Sequence, residues 1–185
     1  MKPLLSILIP TVPERAGKLA SLLADLARQN NGEAEVIYFG DDRKRSIGAK
    51  RNGALSLARG KYVAFCDDDD HVSAGYISEI TKAAERDVSV ISFIQDATWN
   101  GQESEVHFSI KNANEPFSPG GVTRRFPWHV CAWRRELAQQ CVFSEKNWGE
   151  DADWVEQAAA LAKNEIHIPH VLHYYDHGID SLATA

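Results

Sequence analysis

The chain has 185 residues, a length that predicts one domain able to bury roughly 70% of the surface exposed by its unfolded chain. Its composition, 44% hydrophobic and 25% charged, is that of an ordinary globular protein, and its net charge of −6 argues against a large nucleic-acid footprint. No apolar run approaches the roughly 20 residues of a membrane span. We therefore expect a cytoplasmic protein without stable membrane insertion.

The three cysteines of the chain do not predict redox or zinc chemistry. They are Cys66, Cys131 and Cys141, an odd number without the spacing of a metal site. We expect buried thiols.

Apolar segments alternate with helical patterns through the first half of the chain. Strand patterns cover residues 4–9, 35–40, 62–66 and 88–93. Helical patterns with one apolar face fall between them, at residues 13–29, 46–59 and 73–86. This βαβαβαβ order with short connections predicts an α/β fold with a doubly wound, mostly parallel sheet and helices on both faces.

The pattern changes after residue 93. Residues 94–99 and 106–110, joined by the turn signal Asn100-Gly101, predict a β-hairpin. Residues 111–127 are rich in Asn, Pro and Gly and predict a long loop. The remaining segments predict a strand at 128–133, helices at 134–140 and 150–162, and strands at 166–168 and 171–175.

Four consecutive aspartates, residues 67–70, directly follow the apolar segment at 62–66. Adjacent carboxylates repel one another, so the cluster is favourable only if cations or hydrogen-bond donors lie among them. The carboxyl end of a strand is where α/β folds bind ligands, and Asp41-Asp42 occupies the same position after another strand. Hard oxygen ligands of this kind suit Mg²⁺ or Mn²⁺. A solvated acidic turn is the simpler alternative.

Basic residues lie in local clusters despite the negative net charge. One cluster combines residues 43–45 with Lys50-Arg51, and another combines Arg124-Arg125 with Arg134-Arg135. Basic groups beside a predicted acidic metal site indicate a phosphorylated ligand rather than a polyanion.

Several segments in this order together resemble the family-2 glycosyltransferases of GT-A fold. The segments are Ser6-Ile7-Leu8-Ile9-Pro10-Thr11 with Arg15, Asp41-Asp42, Ala49-Lys50-Arg51-Asn52 with the stretch up to Tyr62, Cys66-Asp67-Asp68-Asp69-Asp70, Glu150-Asp151, and Tyr174-Tyr175-Asp176-His177 with Ser181. The resemblance covers nearly the whole chain. It implies a single GT-A domain over residues 1–185, with a nucleotide-sugar-binding half at 1–93 and an acceptor-binding and catalytic-base half at 94–185.

The resemblance also implies an activity, which is transfer of a sugar from a nucleotide-diphosphate sugar, here a UDP-sugar, to an acceptor hydroxyl with inversion. Mn²⁺ or Mg²⁺ is the implied cofactor, because negative charge develops on the departing diphosphate. The implied metal ligands are Asp69, Asp67 and His177. The implied nucleotide-sugar-binding residues are Pro10, Thr11, Arg15, Asp41, Lys50, Arg51, Asn52, Asp67 and Asp68.

Glu150-Asp151 opens a predicted helix, whose positive dipole end stabilises carboxylates. The resemblance makes Asp151 the expected general base for the acceptor hydroxyl, with Glu150 orienting the base or the acceptor. Trp128 and Trp148 are candidate acceptor-binding residues, since indole rings offer an apolar face to a sugar. His129 is a third candidate because it follows the predicted long loop. The acceptor class is open among a glycan, a lipid-linked sugar, a protein and a modified base.

Other functions compete with this interpretation. Asp68-x-Asp70-x-Val72 formally fits the nucleophile motif of Mg²⁺-dependent haloacid-dehalogenase-like phosphatases, but that motif belongs after the first strand of its fold. A sugar nucleotidyltransferase would need a glycine-rich phosphate loop, which Pro10-Thr11-Val12-Pro13 cannot provide. A catalytically degenerate GT-A binding module is the non-enzymatic alternative.

Overall fold

The computed structural model describes residues 2–177, which form one nine-stranded sheet flanked by helices. The strands are β1 (Leu5–Thr11), β2 (Ala34–Gly40), β3 (Tyr62–Phe65), β4 (His71–Val72), β5 (Val90–Trp99), β6 (Gln102–Phe108), β7 (Val122–Arg125), β8 (Ala132–Arg134) and β9 (Glu165–His177). The helices are α1 (Ala16–Gln29), α2 (Ile47–Leu57), α3 (Tyr76–Ala84), α4 (Arg135–Ala138) and α5 (Glu150–Leu161), and a short 3-10 turn covers Pro13–Arg15. This architecture confirms the α/β prediction.

The sheet runs in the order β2-β1-β3-β8-β5-β6-β7, with β9 beside β5 and β4 paired to β9. β1 is parallel to β2 and β3, and β9 is parallel to β5. β8 is antiparallel to both β3 and β5, so β5 runs in the same direction as β3. The carboxyl ends of β1, β2 and β3 therefore lie at one edge of the sheet.

The two faces of the sheet are covered by different helices. Residues of β1 alternate between the faces, with Leu5 and Ile7 in the core under α1 and α3, and Leu8 in the core under α2 and α5. Trp133 and Trp154 are large and fully buried members of the second core. The prediction of helices on both faces is confirmed.

Several predicted elements differ from the structure. The fourth predicted strand, at residues 88–93, forms the start of β5, and β8 lies between β3 and β5 through pairs such as Tyr62 with Arg134. The predicted hairpin is confirmed, since β5 and β6 are antiparallel and Trp99 pairs with Gln102 across the turn Asn100-Gly101. Its first strand is not separate from the strand predicted at 88–93, because both belong to β5, which has ten residues. The predicted loop at 111–127 contains β7, and β9 joins the two strands expected at 166–168 and 171–175. Residues 128–131 were expected in a strand and lie outside β8.

The cysteines are free and buried, as predicted. Burial raises the pKa of the Cys141 thiol to about 11 and that of Cys131 well above its ordinary value. Neither thiol is therefore a ready nucleophile. Among the helices that the structure describes, none has both the length and the apolar composition that crossing a bilayer requires.

Candidate active site

The acidic segments that follow β2 and β3 both interact with the end of β1, one directly and the other through Lys50. Thr11, the last residue of β1, donates from Oγ1 to Asp68 Oδ2 at 2.7 Å. Lys50 of α2 is 3% exposed; its Nζ donates to the Thr11 carbonyl at 3.0 Å and lies 3.2 Å from Asp41 Oδ1. Burial alone would raise the pKa of Asp41, but Lys50 and Arg45 hold it below its usual range. Three strand ends thus form one charged edge.

Arg15 binds two of the four consecutive aspartates. Its Nη1 lies 2.8 Å from Asp68 Oδ1, and its Nη2 pairs with Asp69. Asp68 is 1% exposed, and burial raises its pKa to about 6 although Thr11 and Arg15 oppose the rise. Asp69 is 22% exposed and lies 3.4 Å from Lys18. Of these two carboxylates, only Asp69 is accessible to a ligand.

A buried histidine holds the last of the four aspartates. His173 of β9 is fully buried, with Nε2 3.0 Å from Asp70 Oδ2 and Nδ1 3.0 Å from the Gln95 amide. The same Asp70 oxygen accepts from the Asp67 N–H at 2.6 Å, so this contact fixes the loop between β3 and β4. Because Asp68 and Asp70 are both buried and paired, neither suits the nucleophile of a phosphatase.

Arg51 of α2 joins the acidic loop to the start of α5. Its guanidinium is 3% exposed, lies 2.8 Å from Asp67 Oδ1 and pairs with Glu150. Burial alone would raise the pKa of Asp67, but Arg51 lowers it below its ordinary value. The ring of Phe143 lies 5.7 Å from the guanidinium carbon. Arg51 is therefore committed to two carboxylates and orients both halves of the site.

Asp151 lies at the first turn of α5 next to the buried Glu150. The preceding Gly149 has a φ of 76°, a left-handed conformation that favours glycine and starts the helix. Asp151 is partly exposed, and its Oδ1 accepts from the Ala152 N–H at 2.8 Å. Burial raises the pKa of Asp151 although Arg51 opposes the rise, which moves it towards the range useful to a general base.

The three candidate acceptor residues have different environments. His129 is 6% exposed and packs against Phe65 and Phe143, and burial lowers its pKa well below the ordinary value, so it is a neutral core residue. Trp128 donates from Nε1 to Asn114 at 3.3 Å. Trp148 is 75% exposed in the loop that leads to α5.

Two predicted donor-binding residues, Asn52 and Pro10, make contacts within the fold. The Asn52 side chain donates to the Phe143 carbonyl at 2.8 Å and accepts from its N–H at 3.0 Å, so its amide is satisfied by backbone. Pro10 is buried in β1 opposite Phe39. The predicted metal ligand His177 ends β9, and its side chain, like Ser181, falls outside what the structure describes.

The acidic loop suits a divalent ion by its chemistry. Within residues 2–177, no three His, Cys, Asp or Glu side chains form a group that could hold a metal alone. Mg²⁺ sites usually contain one or two carboxylates, with water and substrate phosphates completing the shell. Asp67 and Asp69 offer that number of hard oxygen ligands and are the two partly exposed members of the loop.

Sequence reasoning missed His173 and Arg125 as parts of the site. His173 gives no motif, and only its place in an alternating strand indicates burial. Arg125 ends β7 and lies over the Trp128 ring at 4.9 Å. The sequence signal for Arg125 was the basic pair Arg124-Arg125, but the sequence did not predict β7, the strand that holds this pair.

Comparison with known proteins identifies the family. The sequence profile of Glycosyl transferase family 2 matches residues 31–142, more than half of the chain. No curated protein sequence matches at a significant level.

Solved structures share the fold. S. aureus TarS 1-349 superposes with a TM-score of 0.71 at 17% identity, over 95% of this chain and 60% of that one. Its complex with UDP gives 0.72 at 17%, over 96% and 61%, and its complex with UDP-GlcNAc gives 0.72 at 16%, over 100% and 61%. The likeness confirms the predicted GT-A fold, and the chain spans about 60% of the length of these structures.

Proposed function

Because the chain belongs to glycosyltransferase family 2, we propose that it transfers a sugar from a UDP-sugar to an acceptor hydroxyl with inversion of the anomeric carbon. The observation that carries the proposal is the position of Arg51, which pairs with Asp67 and Glu150. Arg51 therefore holds the start of α5, which contains Asp151, beside the acidic loop whose carboxylates suit a metal ion bound to a diphosphate. Structures of the same fold hold UDP and UDP-GlcNAc, which supports a UDP-sugar donor.

We assign the donor to the edge formed by β1, β2 and the acidic loop. Asp41 accepts from the nucleobase, and the backbone at Pro10-Thr11 shapes the base pocket. Asp69 and Asp67 would hold Mn²⁺ or Mg²⁺, with Asp69 released from its pairing with Arg15. When bound, the ion supplies positive charge against the departing diphosphate. Residues 1–93 bind the donor, and residues 94–185 bind the acceptor and contain the base.

Asp151 acts as the general base in this proposal. Inversion requires the acceptor oxygen to attack the anomeric carbon from the face opposite the diphosphate while a base removes its proton. Asp151 is the more exposed of the two carboxylates that open α5, and burial raises its pKa. Glu150 is 4% exposed and paired with Arg51, so it positions the helix start instead of taking the proton.

One set of measurements on wild type and three variants tests binding and chemistry separately. Calorimetry measures UDP affinity with and without Mn²⁺. Release of UDP from UDP-GlcNAc, with water as the acceptor of the sugar, measures turnover. Asp69→Asn should weaken Mn²⁺-dependent UDP binding at least tenfold. Asp151→Asn should retain UDP binding and lose about 10²–10⁴-fold in turnover, the usual contribution of a general base. Glu156→Gln, on the exposed side of α5, is the matched control and should behave like wild type.

Each contrary result removes a different part of the proposal. Undiminished turnover in Asp151→Asn would reject the base assignment. A UDP affinity that changes neither on addition of Mn²⁺ nor in Asp69→Asn would reject the metal site. UDP binding without turnover in the wild type would favour the degenerate binding module.

A further inference from the structure

Arg125 is a partly buried arginine that forms no ion pair within residues 2–177. Its guanidinium lies 4.9 Å from the centre of the Trp128 ring, and its Nε donates to the Glu115 carbonyl at 3.2 Å. Within residues 2–177 no carboxylate lies within 4.0 Å of it, and its two terminal nitrogens make no hydrogen bond. Arg15 and Arg51, the other arginines of the site, are each paired with two carboxylates.

The position of Arg125 is fixed by its backbone. It pairs with Phe108 across β6 and β7, and its carbonyl accepts from the Ser109 N–H at 3.0 Å. Stacking on Trp128 restricts the side chain further, so little entropy is lost when the guanidinium binds a ligand. Burial lowers the pKa of Arg125, and the charge that opposes this is that of Asp151. The ring of Trp128 lies 6.4 Å from that of His129, and His129 packs against Phe143. The Phe143 ring in turn lies 5.7 Å from the guanidinium carbon of Arg51, which pairs with Glu150. These contacts place Arg125 on the side of the site that contains the proposed base.

A fixed guanidinium with free terminal nitrogens is suited to a planar or tetrahedral anion, which it can bind through two parallel hydrogen bonds. The donor diphosphate already has cations at the other side of the site, where Arg15 and Lys18 surround Asp69. The anion that matches Arg125 thus belongs to a second substrate.

We propose that Arg125 binds an anionic group of the acceptor, a phosphate ester or a carboxylate, and so presents a neighbouring hydroxyl to Asp151. This inference rests on the proposed function, because Asp151 marks the acceptor side. Trp128 forms the apolar wall beside the anion. The acceptor class narrows to hydroxyl compounds that carry a negative charge close to the hydroxyl.

The test uses the full chain saturated with UDP and Mn²⁺, so that the donor site is filled. Glycerol 1-phosphate, glycerate and neutral glycerol are titrated while tryptophan fluorescence and calorimetric heat are recorded. We expect the phosphate ester or the carboxylate to bind and glycerol to give no response. Arg125→Gln, which keeps a side-chain donor for Glu115, should weaken anion binding at least tenfold.

Arg124→Gln is the matched control, because Arg124 is the neighbouring exposed arginine on β7 and its side chain points to the opposite face. It should bind the anion like wild type. Arg125→Lys is the second variant, which retains the charge but not the planar fork, and it should give intermediate affinity with an unchanged circular dichroism spectrum.

Two outcomes overturn the inference and leave the proposed function standing. One is UDP binding without any anion response in the wild type. The other is equal loss of anion binding in Arg124→Gln and Arg125→Gln. Failure of the wild type to bind UDP at all would instead overturn the proposed function, and the inference with it.

Discussion

Arg51 shows how one side chain can connect distant parts of the chain, because it contacts Asp67, 16 residues away, and Glu150, 99 residues away. Its charge is buried, and so is that of Glu150, with 4% and 5% of the two side chains exposed. Removing one member of a buried ion pair leaves the other charge without compensation, which is more damaging than replacing both with apolar groups. The charge of Asp67 depends less on its contact with Arg51, because 37% of the Asp67 side chain is exposed to solvent.

We expect Arg51→Met to lower the free energy of unfolding by about 3–5 kcal/mol, the range for breaking a buried ion pair. The double variant Arg51→Met/Glu150→Leu should be less destabilised than the sum of the single variants. Urea denaturation of the wild type, the two single variants and the double variant measures the coupling. Additive losses would show that the pair contributes nothing to the connection between α2 and α5.

His173 predicts a pH dependence of stability. The Asp70 carboxylate outweighs burial and raises the pKa of His173 from 6.5 to about 10. A raised histidine pKa stabilises the fold fully below pH 6.5, and this contribution is lost as the pH rises to about 10. In urea denaturation under reducing conditions, stability should fall across that window by up to about 1.4 kcal/mol per pH unit, the slope for one proton. His173→Gln should flatten the slope, and an unchanged slope would contradict the ion pair.

The sequence alone could locate the acids but not their partners. Asp41, Asp67–Asp70 and Asp151 follow or open recognisable elements, so their shared edge follows from the strand order. The burial of Arg51 and His173 depends on which elements pack over them. Residue spacing carries no information about such long-range contacts, and the spacing of Arg51 fits an exposed helix face equally well.

At the scale of secondary structure elements, the approach of α2 to the loop before α5 keeps Arg51 beside Glu150. Gly48 of α2 allows this approach, because an added Cβ there would lie 1.9 Å from the Ser144 carbonyl oxygen. The glycine is required by close packing between backbones.

We expect Gly48→Ala to destabilise the protein by about 1–3 kcal/mol, as overpacking does, and to reduce turnover by separating Arg51 from Glu150. Gly17→Ala is the matched control in α1, where an added Cβ meets nothing within 4 Å. That change should stabilise the protein by about 0.5–1 kcal/mol, because alanine is favoured over glycine within a helix. Thermal and urea denaturation measure the stability change of both variants. An unchanged stability in Gly48→Ala would show that the loop before α5 moves freely away from α2.

Helices were predicted better than strand order. The predicted start of a helix at residue 46 is confirmed: Ser46 caps α2, with its Oγ accepting from the Ala49 N–H at 3.2 Å, and such a cap is a local signal. β8 has three residues and enters between β3 and β5 from far along the chain. Neither its pairing nor the single continuous β5 could follow from local periodicity, since both depend on long-range register.

At the scale of the whole molecule, we expect the nucleotide to bind at the edge where β1, β2 and β3 end. The opposite edge offers a competing location for an anion, a cavity of about 210 Å³ lined by Lys2, Pro3, Arg59 and Arg135. The two locations are separated by the length of the central strands, so a method that resolves segments of the chain can distinguish them.

Hydrogen exchange with mass spectrometry, with and without UDP and Mn²⁺, tests this claim most directly. We predict slower exchange in residues 10–15, 38–45 and 66–72, with exchange in residues 2–4, 59–61 and 135–140 unchanged. Protection confined to the second set of segments, or no protection anywhere at saturating UDP, would contradict it.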